Sequence, residues 1–444
     1  MRGTQPGVGA ARSFRTPALL ARVDGAASRL RSKLAPMPFE RPAQRPPSLR
    51  EFLADFGGVY AANGLIGFIF AASGPVAIIL SVGIAGGLAQ SDLASWIFGS
   101  FAINGVLSIA FCWYYRQPLV FFWTIPGAVL VGPALGHLSF PQVIGAFLAA
   151  GLLMLVLGLS GWFKRVMQAL PMPIVMGMVA GVFMKFGVDL VLALRDDLAL
   201  AAPMVLVFVV LSAVPALGRR MPPLIGAMIA GALLIVAYGT FDPAGAAGDA
   251  LVRPNLYAPE FSWQAMLELV VPLAVTVLVV QNGQGFAVLD AVGHKAPINA
   301  VTIGCGAWSM ITAMVGSVST CLTGPTNALI SSSGERHRHY TGGVLVGVLA
   351  IAFGLAAPFF TRLMLASPKA FIATIAGLAM LRVLQTAFNV SFRERFTLGA
   401  LVAFIVTVAN VPIFNIGAPF WGLVFGYLVS RVMERGDFAM LAAK

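Results

Sequence analysis

Apolar runs of roughly 18 or more residues follow one another along most of this chain, joined by short polar stretches, and each is long enough to cross a bilayer as a helix. About fourteen such segments can be marked, opening at 52–86 and 91–114 and closing at 394–410 and 417–434. The runs are continuous rather than alternating, which is the pattern of helices and not of a barrel. The chain therefore reads as an all-α polytopic membrane protein. The first run is too long for one straight helix and contains AASGP at 71–75, where a bend or break is expected. Two other runs are interrupted by the same polar pattern, TIPGAVL at 124–130 and TGPTNAL at 323–329.

Those interruptions have a specific chemistry. In PLVFFWTIPGAVLVGPAL, the extended-favouring residues Val120 to Trp123 lead to Thr124, a good helix N-cap, with Pro126 in the first turn. In VSTCLTGPTNALISSSG, Thr323 takes the cap position, Pro325 the first turn, and the helix runs for about ten residues, half a membrane thickness. A helix start presents free N–H groups and roughly half a positive charge. Two starts facing each other would make an anion site with no Lys or Arg in it. The candidate site is therefore Thr124, Ile125, Pro126, Gly127 and Ala128 with Thr323, Gly324, Pro325, Thr326 and Asn327. Two kinked, packed helices are the plainer alternative, but kinks alone do not require the same motif twice.

A further run, LVVQNGQGFAVLD, carries Gln281, Asn282 and Gln284 into apolar surroundings. Amides at that depth face a cavity or bridge helices, and substrate contact is the reading favoured here. The echo of Asn282-Gly283 in Asn63-Gly64 adds Asn63 to the candidates. Phe68, Phe122, Trp123 and Phe286 offer surfaces for a ring, although each also suits ordinary packing. No carboxylate stands among these residues, as an anionic ligand would require. Asp55 and Glu268 fall near span starts, Asp290 near a span end, and Asp189 one turn after Lys185, where an ion pair is expected.

Internal repetition sharpens the architecture. FKRVMQALP at 163–171 is echoed by FTRLMLASP at 360–368, and Pro223-Leu-Ile-Gly226 by Pro419-Phe-Trp-Gly422, in register with the Thr-x-Pro pair. Seven spans per half bring the second copy in from the opposite side, giving inverted repeats with a site near midplane, as in secondary transporters. The expected organisation is a tail over 1–50, a first repeat over 51–239, an outer linker over 240–263 and a second repeat over 264–436.

Composition confirms the class and charge orients it. Hydrophobic residues make up 59% and charged residues 10%, whereas soluble domains carry about 25% charged residues; lipid is the implied solvent. The net charge of +12 does not indicate nucleic acid, because ten of the 29 basic residues crowd into residues 1–50. That segment reads as a disordered basic cytoplasmic tail beside anionic lipid. Thirteen Lys and Arg fall in the loops on the tail's side and four on the other, which places both termini in the cytoplasm of a bacterial-type inner membrane. Cys112, Cys305 and Cys321 lack metal or disulfide spacing, and the HxH of ERHRHY reads as a solvated loop rather than a metal site. No cofactor is implied. Neither HExxH nor GxSxG occurs, so an enzyme is not expected.

YRQPLVFFWTIPGA (115–128), KRVMQALPMPIVMGMVAGVFMKFG (164–187) and QNGQGFAVLDAVGHKAPIN (281–299) resemble the benzoate:proton symporter family of the BenE type, over about residues 52–434. That family looks related to the uracil/xanthine permeases and the sulfate-type anion transporters. The resemblance implies a seven-plus-seven inverted repeat, often dimeric, with a core domain of spans 1–4 and 8–11 and a gate domain of spans 5–7 and 12–14. It also implies a substrate held between Thr124–Ala128 and Thr323–Asn327, against Gln281 and Asn282. The chain departs from benzoate permeases in carrying Ser317, Val318 and Cys321 where they have a Gly-Gly-His and an Asn, and from uracil permeases in having Gln281-Asn282 in place of a glutamate. The expected function is proton-coupled transport of benzoate or a related aromatic carboxylate. An inorganic-anion or nucleobase carrier of the same fold, or an anion channel, is the alternative.

Overall fold

The computed structural model describes residues 1, 3, 39–161, 171–218, 221–241, 249–414 and 416–442. Most of the basic tail, residues 163–170 of the first repeat motif and Arg219-Arg220 lie outside the described residues. About three quarters of the described residues are helical.

After a short α1 (Leu49–Asp55), the first long run is divided into α2 (Gly58–Ala72) and α3 (Gly74–Ala85). The division falls at Ser73, whose hydroxyl donates to the Phe70 carbonyl at 3.0 Å, as the AASGP sequence predicts. A Cβ on Gly74 would stand 2.5 Å from that of Ala379, so glycine there lets α3 lie against a later helix. There follow α4 (Gln90–Tyr115), strand β1 (Phe121–Trp123), α5 (Ile125–Ala134), α6 (Phe140–Ser160), α7 (Met172–Asp196), α8 (Leu198–Ala213) and α9 (Pro223–Tyr238). The second half comprises α10 (Trp263–Ala291), α11 (Ile298–Ala313), β2 (Thr320–Leu322), α12 (Gly324–Ile330), α13 (His339–Leu355), α14 (Ala357–Leu365), α15 (Lys369–Phe392), α16 (Thr397–Ala409), α17 (Ala418–Met433) and α18 (Arg435–Ala442). Among the described residues, seven helical runs are long and apolar enough to span a membrane, and six shorter apolar helices of 10–17 residues accompany them. The chain is a multi-pass, membrane-embedded helical protein.

Helix ends follow local chemistry. A capping box of Ser139 and Gln142 starts α6, and Gly161, at φ 66°, ends it. Wide π-turns interrupt α4 at Gly99–Ile103 and α10 at Met266–Val270 and Thr276–Gln281. Such turns re-aim the side chains that follow them and recur at functional positions.

Packing falls into two groups of helices. In one, α6 lies on α11, and α13 lies on α2 and α4; in the other, α7 lies on α15 and α16, α16 on α17, and α8 on α9. Backbones touch where helices cross: a Cβ on Gly105 would meet the carbonyl oxygen of Gly347 at 2.7 Å, and one on Gly347 that of Gly105 at 2.8 Å. Small residues are how membrane helices gain packing energy, since lipid is as apolar as leucine.

The segment before α10 is a fastened strap. Val252 N–H donates to Leu355 O at 2.9 Å, Asn255 N–H to Ser95 Oγ at 3.0 Å, Tyr257 N–H to Met314 O at 3.0 Å and Glu260 N–H to Pro141 O at 3.0 Å. The expected Lys185–Asp189 pair forms at 2.9 Å. The ERHRHY segment departs from its reading as a solvated loop. His337 is exposed, but His339 is buried, with its Nδ1 3.2 Å from Nε2 of buried His294. A helix that begins at His339 carries that residue inward with it.

Candidate functional site

The two Thr-x-Pro segments meet through β1 and β2. The strands pair antiparallel, Phe121 opposite Leu322, Phe122 opposite Cys321 and Trp123 opposite Thr320. Thr124 N–H donates to Ser319 O at 3.0 Å and Thr323 N–H to Val120 O at 3.1 Å, so the ladder runs directly into the first residues of α5 and α12. A two-stranded sheet buried in a membrane protein has two edges with no water to satisfy them. Polar side chains do so here. Asn327 accepts from Val120 N–H at 3.0 Å and donates back to Val120 O at 3.2 Å. Asn282 Oδ1 accepts from Leu322 N–H at 2.7 Å, Ser108 Oγ from Phe121 N–H at 2.8 Å and Ser309 Oγ from Thr320 N–H at 2.9 Å.

In front of the strands opens a cavity of about 950 Å³. Phe122 and Trp123 of β1, Phe70 of α2, Ile125 and Pro126 of α5, Gln281 and Gln284 of α10, and Thr323, Pro325 and Thr326 line one side. The facing wall comes from the other helix group, with Met172, Met176 and Val179 of α7 and Arg382 and Thr386 of α15.

Nine residues expected from sequence thus border this cavity: Phe122, Trp123, Ile125, Pro126, Gln281, Gln284, Thr323, Pro325 and Thr326. The others stand behind it. Thr124 caps α5, accepting from Gly127 N–H at 3.1 Å, and donates to Thr276 Oγ1 at 3.3 Å. Gly127 and Ala128 are buried in the first turns of α5. Asn282 and Asn327 bind the strand edges as described. Gly324 lies against Gln284, whose Cγ would be 2.6 Å from an added Cβ. Asn63 holds the end of α12, donating to Ser333 Oγ at 3.0 Å. Phe68 meets the edge of Phe353 with ring centres 5.9 Å apart. Phe286 packs on the core away from the cavity.

The two copies differ in one respect that the sequence pattern does not predict. Thr323 makes no side-chain cap; its hydroxyl donates to Thr326 Oγ1 at 3.4 Å, and both residues face the cavity. The helix it precedes has 7 residues rather than the ten expected, and ends where Ser331 Oγ donates to Asn327 O at 2.6 Å. Hydroxyl groups at this end of the cavity are therefore less committed than at the α5 end. The indole Nε1 of Trp123 is buried with no hydrogen-bond partner among the described residues.

Arg382 is the charged residue that sequence reasoning missed. Among the described residues it is the sole ionisable group that lines the cavity, and its Nη1 donates to Gln385 Oε1 at 3.0 Å. A signal was available: an ionisable side chain near the middle of a 24-residue apolar helix is costly and usually serves a pathway. Among the described residues, no Asp or Glu lines the cavity. The site is apolar and aromatic, with amides, hydroxyls and one cation, and it suits a small anion with an apolar body.

Comparisons with known proteins agree with this geometry. Residues 56–432 match the family BenE, described as Benzoate membrane transport protein. The chain is similar to Inner membrane protein YdcO of Escherichia coli K12, at 28% identity over 82% of this chain and 93% of the relative. It is also similar to the Benzoate membrane transport protein of Acinetobacter baylyi, at 26% identity over 83% of this chain and 94% of that one. Among solved structures, the transmembrane domain of a cyanobacterial bicarbonate transporter, BicA, aligns with a TM-score of 0.59 at 14% identity, covering 86% of this chain and 99% of that domain. SLC26A9 aligns with a TM-score of 0.60 at 12% identity, covering 97% of this chain and 72% of that protein.

Proposed function

The chain belongs to the benzoate membrane transport (BenE) family, and from that footing we propose that it is a secondary active transporter of benzoate or a related aromatic carboxylate, driven by proton symport in a bacterial inner membrane. The observation that carries this reading is the cavity itself. Its volume of about 950 Å³ lies within the span of small-molecule sites. Phe122, Trp123 and Phe70 offer faces and edges to an aromatic ring, and the absence of any lining carboxylate removes repulsion of an anion.

In this reading the carboxylate lies at the polar end, against the Gln281 and Gln284 amides, the Thr323 and Thr326 hydroxyls and the start of α5 at Ile125 and Pro126. Thr124, Gly127, Ala128, Asn282, Gly324, Asn327, Asn63 and Phe68 hold those groups in place. Arg382 draws the anion in from the facing wall. Dipoles, hydroxyls and a hydrated cation at the margin bind without the tenacity of a buried bidentate arginine, so the ligand can leave as well as enter.

The transport cycle we envisage uses fourteen spans arranged as a seven-plus-seven inverted repeat, with both termini in the cytoplasm. The helices α2–α6 and α10–α13 form the core, and α7–α9 and α15–α17 form the gate. The cavity lies between the two groups, and their relative movement would open it to each side in turn. A homodimer built on the gate helices would anchor that movement within the surrounding lipid.

The test is uptake into proteoliposomes of labelled benzoate, uracil and sulfate, with and without an inward proton gradient. Benzoate should accumulate above its external concentration only when the gradient is imposed. Failure to concentrate any carboxylate overturns the proposal, and downhill flux indifferent to the gradient indicates a channel instead.

A further inference from the structure

Glu268 is a buried acid for which substrate binding has no use. It sits in the first π-turn of α10, Met266–Val270, with its side chain 3% exposed and its Oε2 2.8 Å from Nε2 of His137. His137 lies in the turn between α5 and α6, and its side chain is 23% exposed. A third element closes on the pair: Gly417, the residue before α17, is so close that an added Cβ would collide with Glu268 Oε1. The pair therefore stands where helices α5, α10 and α17 meet.

Few other charges face it. The α5 and α6 helices contain no ionisable residue, and neither does α10 between Met266 and Gln284 apart from Glu268. Residues 410–418, which lead into α17, are uncharged; Arg431 lies about 20 Å further along that helix at 1.5 Å per residue. A further acid, Glu260 of the strap, accepts from Ser139 Oγ at 3.3 Å. Among the described residues, His137 is thus the basic group that meets the buried Glu268 carboxylate, and an acid placed so within a spanning helix is costly unless it serves a proton path.

We propose that His137 and Glu268 form the proton-loading site of the transport cycle, an inference that rests on the proton-symport reading above. In neutral His137 the Nε2–H donates to Oε2 of Glu268; a proton from water binds the Nδ1 lone pair, and the Nε2 proton passes along the hydrogen bond to Oε2. Both groups are then neutral, and the ion pair is gone. Release of that proton to the opposite side regenerates the carboxylate. The pair connects to the cavity at both ends: α5 starts at the cavity-lining Ile125 and Pro126 and ends 3 residues before His137. Glu268 shares α10 with Gln281 and Gln284. Neutralising Glu268 loosens its hold on α5 while Gly417 keeps it against α17, so occupancy by a proton is felt where the two helix groups slide.

The experiment uses the full chain in liposomes and compares benzoate counterflow, which needs no proton gradient, with gradient-driven accumulation. Glu268→Gln should keep counterflow within about twofold of wild type and lose at least tenfold of the gradient-driven accumulation, together with the alkalinisation of the medium that accompanies uptake. His137→Gln should retain coupling but displace the pH of half-maximal uptake. Undiminished accumulation in Glu268→Gln overturns the assignment while leaving benzoate transport intact. If Glu268→Gln does not fold, His137→Gln decides: an unchanged pH profile overturns the assignment. Wild-type protein that exchanges no benzoate overturns the transport reading and this inference with it.

Discussion

Thr124 and Thr323 occupy the same place in a repeated motif and do different things. Thr124 Oγ1 caps a helix, and Thr323 Oγ1 faces the cavity. Thr124→Val should cost about 1 kcal/mol, the worth of an N-cap, and lower the melting temperature in detergent. Thr323→Val should leave melting unchanged and raise the KM for benzoate uptake severalfold. Arg382→Gln should raise that KM about tenfold, equivalent to about 1.4 kcal/mol of binding, again without loss of thermal stability. At the polar joint before α11, burial pushes His294 down to about 4, with the neighbouring His339 and Arg336 acting in the same direction. Between that value and the ordinary 6.5 the unfolded chain binds a proton that the folded chain refuses, so stability rises with pH across this window and falls on acidification from pH 7 to 5. Melting curves across that range test this, and His294→Gln should flatten them.

Among the elements, the β1–β2 pair is the unusual one, because three-residue strands inside a membrane protein survive only if their edges are satisfied. Asn327 and Asn282 do this from α12 and α10. Asn327→Ala should strand the N–H of Val120, whose C=O keeps the Thr323 N–H, at about 1–3 kcal/mol for the unsatisfied group. It should lower the melting temperature by more than any cavity-facing substitution does, and a melting temperature equal to wild type would contradict this account. The Asn and Gln residues looked equivalent from the sequence because they share a composition and a span. Their division into strand fasteners and cavity amides depends on which way each points across the π-turn at Thr276–Gln281, and periodicity alone does not reveal such a turn.

For the whole molecule, the cavity is walled by two helix groups, and movement between them is the proposed means of transport. All three cysteines are buried, so a single thiol can be placed against a quiet background. Thr386→Cys, on the α15 wall, should be blocked by a bulky thiol reagent, and saturating benzoate should slow the reaction at least fivefold. Reaction at the same rate with and without benzoate would place the ligand elsewhere.

Sequence patterning by itself determined that this chain is a helical membrane protein, that its first run breaks near Ser73 and that two Thr-x-Pro segments interrupt its apolar runs. These are local or additive properties: the length of an apolar run, the cost of a proline, the sum of transfer energies. Only the tertiary structure decided that the two segments meet as a strand pair, that Thr323 makes no side-chain cap, that Arg382 borders the cavity and that Glu268 is buried. Those outcomes depend on contacts between residues some two hundred positions apart, such as Asn327 with Val120 and Asn63 with Ser333. A side chain has no burial or partner until such distant helices have closed on it.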